Sequence, residues 1–142
     1  MLTPDLTAAT LAQLTPVLEC LLAQPHVNRP GLALSIAFAP GDGTVDYLSD
    51  VTIGDLSTNP YPNGQIARQK RDLSLRTRLA GDRVPPHMLR PGDSEWTGSA
   101  WLDGIAVGCA GLSSEQDGMV AHWVAHALAT ACIGLPLPSE NP

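Results

Sequence analysis

Alternating apolar and polar positions mark two neighbouring segments in the first half of the chain. In LALSIAFA, one face carries the larger side chains Leu32, Leu34, Ile36 and Phe38. In TVDYLSDVTI, the pattern assigns to one face Val45, Tyr47, Val51 and Ile53. Period-two alternation is typical of β-strands, and the intervening PGDG has turn residues. The two segments therefore predict a β-hairpin, whose first strand has a second face of small residues that a neighbour can approach closely.

A second hairpin is predicted over SAWLDGIAVGCAGL. Two short apolar runs flank Asp103-Gly104. Asp-Gly is a preferred pair for a two-residue hairpin turn, because both central residues need a positive φ.

Three helices are predicted around these hairpins. Thr3-Pro4 gives an N-cap followed by proline in the first turn, and Thr15-Pro16 repeats that signal. The first part of the chain is therefore either one kinked helix or two short ones, ending near Gln24. QIARQKRDLSLRTRLAG predicts a weakly amphipathic helix, and the last helix runs from about Ser114 to Cys132, with Gly134 as its C-cap.

The element order is helix, hairpin, helix, hairpin, helix. This order predicts one α+β domain over residues 1–142, with an antiparallel sheet and flanking helices gathered on one face. DRVPPHMLRPGDSEW has three prolines and no periodicity, and it is expected to be irregular.

The start of the last helix is a polar cluster. Ser113 and Gln116 match a capping box, and Ser114 with Asp117 gives an alternative register. Glu115 and Asp117 lie in the first turn, where the helix dipole favours negative charge. The cluster is therefore interpreted as a helix start rather than as a nucleophile.

The composition of the chain disfavours several classes of function. With 8 basic and 14 acidic residues, the chain has a net charge of −6, which disfavours binding to nucleic acids or anionic membranes. The N-terminus lacks signal-peptide features and no run of eighteen apolar residues occurs, so a soluble, cytoplasmic protein is expected. The three cysteines are widely spaced and are expected to pack as small hydrophobic residues.

Two histidines on the last helix form a candidate metal pair. His122 and His126 are four apart, and imidazoles at that spacing can bind one metal ion. They project opposite the predicted buried stripe, which consists of Val120, Val124, Ala127, Leu128 and Ala131. The alternative interpretation is an exposed polar face or a subunit contact.

Seven of the eight basic residues lie between Arg68 and Arg90. A carboxylate or phosphate would be attracted to this cluster, whose alternative role is a solvated helix face. The candidate ligand-binding residues are Lys70, Arg76, Arg78 and His87, and His87 is also the candidate general acid or base. Arg76 and Arg78 diverge by about 200° on a helix, so one chain cannot present both to one ligand unless the helix ends early.

The segment LDGIAVGCAGLSSEQDGMVA resembles the C-terminal signature of the GlcG/HbpS-like family, also found as the C-terminal domain of PduO-type corrinoid proteins. The matching residues are Asp103, Gly104, Gly108, Gly111, Glu115, Gln116 and Asp117. The resemblance is strongest over residues 97–132. Upstream, Lys70 stands at the family's recurrent lysine.

The resemblance implies a profilin-like α+β fold, binding of haem or another tetrapyrrole, and assembly as a homo-oligomer. Trp96 and Trp101, near a hairpin in a chain with 4% aromatic residues, agree with a subunit contact. The leading expectation is a small oligomeric protein that binds an anionic ligand. The alternatives are a non-catalytic profilin-like scaffold domain and a small enzyme acting on a carboxylate-bearing substrate.

Overall fold

A four-stranded antiparallel sheet is the central element of the structure, a computed structural model that describes residues 1–134. The strands are β1 (Gly31–Phe38), β2 (Asp46–Gly54), β3 (Ser99–Leu102) and β4 (Ile105–Ala110), in the spatial order β2-β1-β4-β3. The helices are α1 (Pro4–Ala23), α2 (Asn63–Thr77) and α3 (Ser114–Ile133). The predicted α+β class is confirmed, and residues 135–142 of the predicted domain lie outside the described residues.

Helices cover both faces of the sheet. One face of β1 packs its large side chains, among them Leu32, Leu34 and Ile36, in the main core with α1 and α3. The other face presents Ala33 to α2, which contributes Ala67 to a smaller cluster. The expectation that the helices share one face is therefore wrong. Because every residue of β1 is buried, the small side chains of its second face also need a covering element.

The backbone of α2 lies directly against β4 at Gly108. A Cβ atom at this position would lie 2.0 Å from the carbonyl oxygen of Ala67 and 2.7 Å from the backbone nitrogen of Arg71. Only a residue without a side chain permits this approach. Gly108 therefore sets the distance between α2 and the sheet.

A β-bulge in β2 changes the face on which its first residues lie. Ile36 pairs with Ser49 but Ala37 pairs with Tyr47, so one extra residue, Leu48, is inserted. Tyr47 consequently lies on the α2 side, where the guanidinium carbon of Arg71 is 4.7 Å from its ring centroid. The prediction that Tyr47 shares a face with Val51 and Ile53 is wrong, because a one-residue insertion reverses the alternation.

Local signals for turns and caps are confirmed. Asp103 and Gly104 both have positive φ, at 50° and 83°, as a tight hairpin turn between β3 and β4 requires. The Ser113 hydroxyl accepts from the Gln116 backbone N–H, and the Gln116 side chain accepts from the Ser113 N–H, which completes the capping box. Gly134 is the C-cap of α3.

The first helix is continuous. Thr3 caps α1 by accepting a hydrogen bond from the Leu6 N–H, and the helix passes through Pro16 without dividing into two. By length and hydropathy, α1 is long and apolar enough to cross a membrane, a property not anticipated from the sequence. In the structure α1 contacts β2 and α3, and its buried side chains include Leu11 and Leu18.

Candidate functional site

A buried ion pair connects the two helices that lie on opposite faces of the sheet. The Lys70 side chain on α2 is 2% exposed, and its Nζ is 3.0 Å from Oδ2 of Asp117 on α3. Lys70 Nζ also donates to the Cys109 carbonyl oxygen at 2.9 Å. The other carboxylate oxygen of Asp117 accepts from the Leu112 backbone N–H at 3.0 Å. The lysine thus joins α2 to the end of β4 and the first turn of α3.

Gly98 allows this pair to form. Its φ is +145°, and a Cβ atom there would lie 2.7 Å from the Asp117 Cβ and 2.8 Å from the Lys70 Nζ. A side chain at position 98 would therefore displace one of the two charged groups.

Burial and the neighbouring charges shift the pKa of Asp117 and of the adjacent Cys109. Burial raises the pKa of Asp117, while the Lys70 charge and the Leu112 N–H act in the opposite direction. Burial also raises the pKa of the Cys109 thiol well above its ordinary value, and the Asp117 charge adds to that shift. A thiol with a raised pKa stays protonated and is a poor nucleophile. Cys109 is buried as expected, and its thiol donates to Oδ1 of Asp117 at 3.5 Å. The same expectation is wrong for Cys20, which is exposed.

A cavity of about 270 Å³ lies beside the ion pair. Lys70 and Asp117 line it together with the apolar side chains of Ile66 and Leu112. Tyr61, from the loop before α2, and further residues from the start of α3 complete the lining. The cavity thus lies where both helix N-termini meet the end of β4.

Asn63, the first residue of α2, lines this cavity and is 6% exposed. Among residues 1–134, its Nδ2 is the one buried side-chain nitrogen or oxygen without a hydrogen-bond partner. Burying an amide donor without an acceptor costs about 1–3 kcal/mol. Because native proteins rarely leave such a group unpaired, we expect the Nδ2 of Asn63 to donate to an acceptor in this cavity, either a water or a ligand atom.

The N-terminus of α3 forms another part of the cavity wall, through Ser113 and Ser114. The first backbone hydrogen bond of the helix runs from the Asp117 N–H to the Ser113 carbonyl oxygen, at 2.8 Å. The N–H group of Ser114 precedes that bond and belongs to the first turn, whose donors have no acceptor within the helix. Such donors, together with the helix dipole, favour an anion. Arg29 adds a positive charge to the lining.

The residues of the predicted basic site do not lie together in the structure. Arg76 donates from Nη1 and Nη2 to the two carboxylate oxygens of Asp93, at 2.8 Å each, and from Nη2 to the Met88 carbonyl oxygen. Arg78 ends α2 in a left-handed conformation with φ of 57°. His87 is exposed on a short 3₁₀ turn, Pro86–Met88. Of the four predicted ligand-binding residues, Lys70 alone lines the cavity.

The predicted metal pair has no third ligand in residues 1–134, which contain no group of three His, Cys, Asp or Glu side chains able to bind a metal ion. His126 is exposed and His122 half-buried. The buried stripe of α3 is confirmed for Val120, Val124 and Leu128, whereas Ala127 and Ala131 are half-buried.

A second cavity, of about 290 Å³, lies between α1 and α3. Its lining includes Val27, Val120, Met119 and Trp123 and is mainly apolar. The first cavity is the candidate functional site, because it combines convergent polar groups with an unpartnered buried donor.

No protein-family model matches the chain, and neither does a curated protein or a solved structure. The GlcG/HbpS-like resemblance consequently stays a prediction. The tetrapyrrole that it implies does not fit the first cavity. No histidine lines this cavity, and its volume of about 270 Å³ lies below the roughly 300–1,000 Å³ of most sites for drug-sized ligands.

Proposed function

We propose that the protein binds a small carboxylate in the cavity beside Lys70 and Asp117. The observation on which this rests is the buried Nδ2 of Asn63, a donor without an acceptor in the wall of that cavity. A carboxylate oxygen would supply the acceptor. The N–H groups at the start of α3 would bind the second oxygen, as they do for anions at other helix N-termini.

The charges around the cavity support an anion of low charge. Lys70 and Asp117 neutralise each other at 3.0 Å, so the lysine is not a free positive charge. Arg29 contributes one further positive charge, and the α3 dipole adds a partial one. A single carboxylate balances this environment better than a phosphate with two charges would.

Ligand binding is preferred here to the other two functions considered for this sequence. The candidate general acid or base His87 does not line the cavity, so the site has no histidine for the enzymatic alternative. The scaffold alternative assigns no role to this cavity or to the donor in its wall. Homo-oligomer assembly and a cytoplasmic location stay predictions.

Replacing Asn63 with Leu should weaken ligand binding without lowering the melting temperature. Leucine has the same number of side-chain heavy atoms as asparagine and no donor, and the cavity beside position 63 has room for its larger methyl groups. The variant should therefore melt at the wild-type temperature or slightly above it, because it removes an unsatisfied buried polar group. Affinity for benzoate, used as a simple carboxylate probe, should fall about tenfold to a hundredfold, the usual effect of losing a hydrogen bond to a charged group. Calorimetric titration and thermal melting measure the two quantities.

Arg76→Gln is the matched control, because Arg76 belongs to the basic cluster but binds Asp93 away from the cavity. This variant should keep wild-type affinity for benzoate. If Arg76→Gln weakened binding while Asn63→Leu did not, the ligand would belong to the basic cluster and the proposal would be wrong. A melting temperature well below wild type for Asn63→Leu would make Asn63 a structural residue.

A further inference from the structure

Two exposed aromatic rings lie at the mouth of the candidate cavity. Tyr61 and Trp96 both line it, and they are 59% and 44% exposed, whereas Lys70 and Asp117 at its inner end are almost fully buried. The chain has six aromatic residues in all, three Trp, two Tyr and one Phe. Placing two of them in water at one opening leaves apolar surface that a ligand could cover.

The rings are held in a defined arrangement. Their centroids are 5.9 Å apart and their planes are inclined at 69°, an edge-to-face geometry. Each lies in a loop with a local side-chain hydrogen bond: the Tyr61 N–H donates to Asn59 Oδ1, and the Trp96 N–H donates to Ser94 Oγ. The pair therefore joins the loop before α2 to the loop before β3, at the mouth of the cavity.

The cavity thus has polar groups, apolar side chains and an aromatic mouth. Its polar groups include the buried Asn63 and the half-buried Ser114 at the start of α3, and its apolar side chains include Ile66 and Leu112. A ligand with a carboxylate attached to a flat, apolar ring would match both the polar groups and the aromatic mouth. Its ring would rest against Tyr61 and Trp96 when its carboxylate binds to the polar groups.

We infer that the ligands of this site are aromatic or heteroaromatic monocarboxylates. This inference rests on the proposed carboxylate site and specifies the chemical class of its ligand. Saturated carboxylates of the same size gain the polar contacts but lose the ring-to-ring interaction, which contributes about 0.5–1.5 kcal/mol beyond the area buried, or roughly a twofold to tenfold change in affinity.

Benzoate and cyclohexanecarboxylate form the test pair, because they share a carboxylate and a six-membered ring and differ in ring flatness. Calorimetric titration of the full chain should give a benzoate affinity about twofold to tenfold higher than that of cyclohexanecarboxylate. Trp96→Leu should remove most of this preference while retaining binding of both. The control is Trp123→Leu, since Trp123 is similarly exposed at 48% but lies on α3 beside the second cavity; it should keep the preference.

The outcomes separate this inference from the function on which it rests. Equal binding of the two carboxylates to the wild-type protein, or a preference unchanged in Trp96→Leu, overturns the aromatic specificity and leaves the carboxylate site standing. Loss of the preference in Trp123→Leu alone assigns the ring contact to the second cavity and also overturns it. Failure of both carboxylates to bind the wild-type protein overturns the carboxylate site and the specificity together.

Discussion

Gly108→Ala should abolish cooperative folding or reduce the free energy of unfolding by more than about 3 kcal/mol, above the usual range for an overpacked core. The added Cβ would lie 2.0 Å from the Ala67 carbonyl oxygen, a backbone atom that cannot move without shifting α2. Ala67 is fully buried between the helix and the sheet, so α2 would have to withdraw along its contact with β4. Thermal and urea melts followed by circular dichroism measure this loss.

Gly118→Ala is the control for this experiment. Gly118 lies within α3, and a Cβ there would meet nothing within 4 Å. Alanine has the higher helix propensity, so this variant should be more stable than wild type by about 0.5–1 kcal/mol. A Gly108→Ala protein that melts like wild type would show that α2 does not lie against β4 at this distance.

Lys70→Met is the second variant for which we expect a large loss of stability. Methionine preserves most of the length and apolar character of the side chain but leaves Asp117 buried without its cation. Removing one partner of a buried ion pair costs about 3–5 kcal/mol. The double variant Lys70→Met/Asp117→Asn should recover part of this loss, because asparagine has no charge and its amide oxygen can still accept from the Leu112 N–H.

The stability that Lys70→Met loses should also depend on pH. Burial already raises the pKa of Asp117, and without the lysine no cation opposes that shift. The folded state then binds a proton more tightly than the unfolded state, whose carboxyl titrates near 3.8. Stability of the variant is consequently highest below that value and falls as pH rises through the raised pKa of the folded state. The variant should therefore be closer to wild type at about pH 5 than at about pH 8.

A double-mutant cycle analysed by urea melts at both pH values tests this account. Equal stabilities for Lys70→Met and wild type would show that the pair does not contribute to folding. A greater deficit at the lower pH would contradict the direction assigned to the Asp117 pKa.

Local signals predicted much of the fold. The hairpin at Asp103-Gly104, the Ser113 capping box and the Thr3 cap each depend on residues within a few positions, which a sequence pattern displays directly. The bulge at Leu48 has no comparable sequence pattern, because it is defined by how the residues of β2 pair with those of β1. The small residues of β1 indicated that a neighbour could approach its second face closely, but the helices were expected on one face, and no local signal identified α2 as that neighbour.

The candidate site was harder to predict, because its residues meet through tertiary packing. Lys70 and Asp117 are 47 positions apart, so neither helical nor strand periodicity relates them. Lys70 was recognised as part of a basic cluster and Asp117 as a first-turn acid, but their contact depends on Gly98, in a third segment. Asn63 and Tyr61 lie in or beside a proline-rich loop without periodicity, and no pattern in that loop indicates that they line a cavity.

Amide NMR of the wild-type protein during titration with benzoate tests the proposed site most directly. The account predicts that the largest shifts occur at the backbone N–H group of Ser114 and at the side-chain NH₂ of Asn63, with further shifts at the Trp96 indole. Shifts concentrated instead around Arg76, Arg78 and His87, or no shifts at millimolar benzoate, would contradict a carboxylate site at the start of α3.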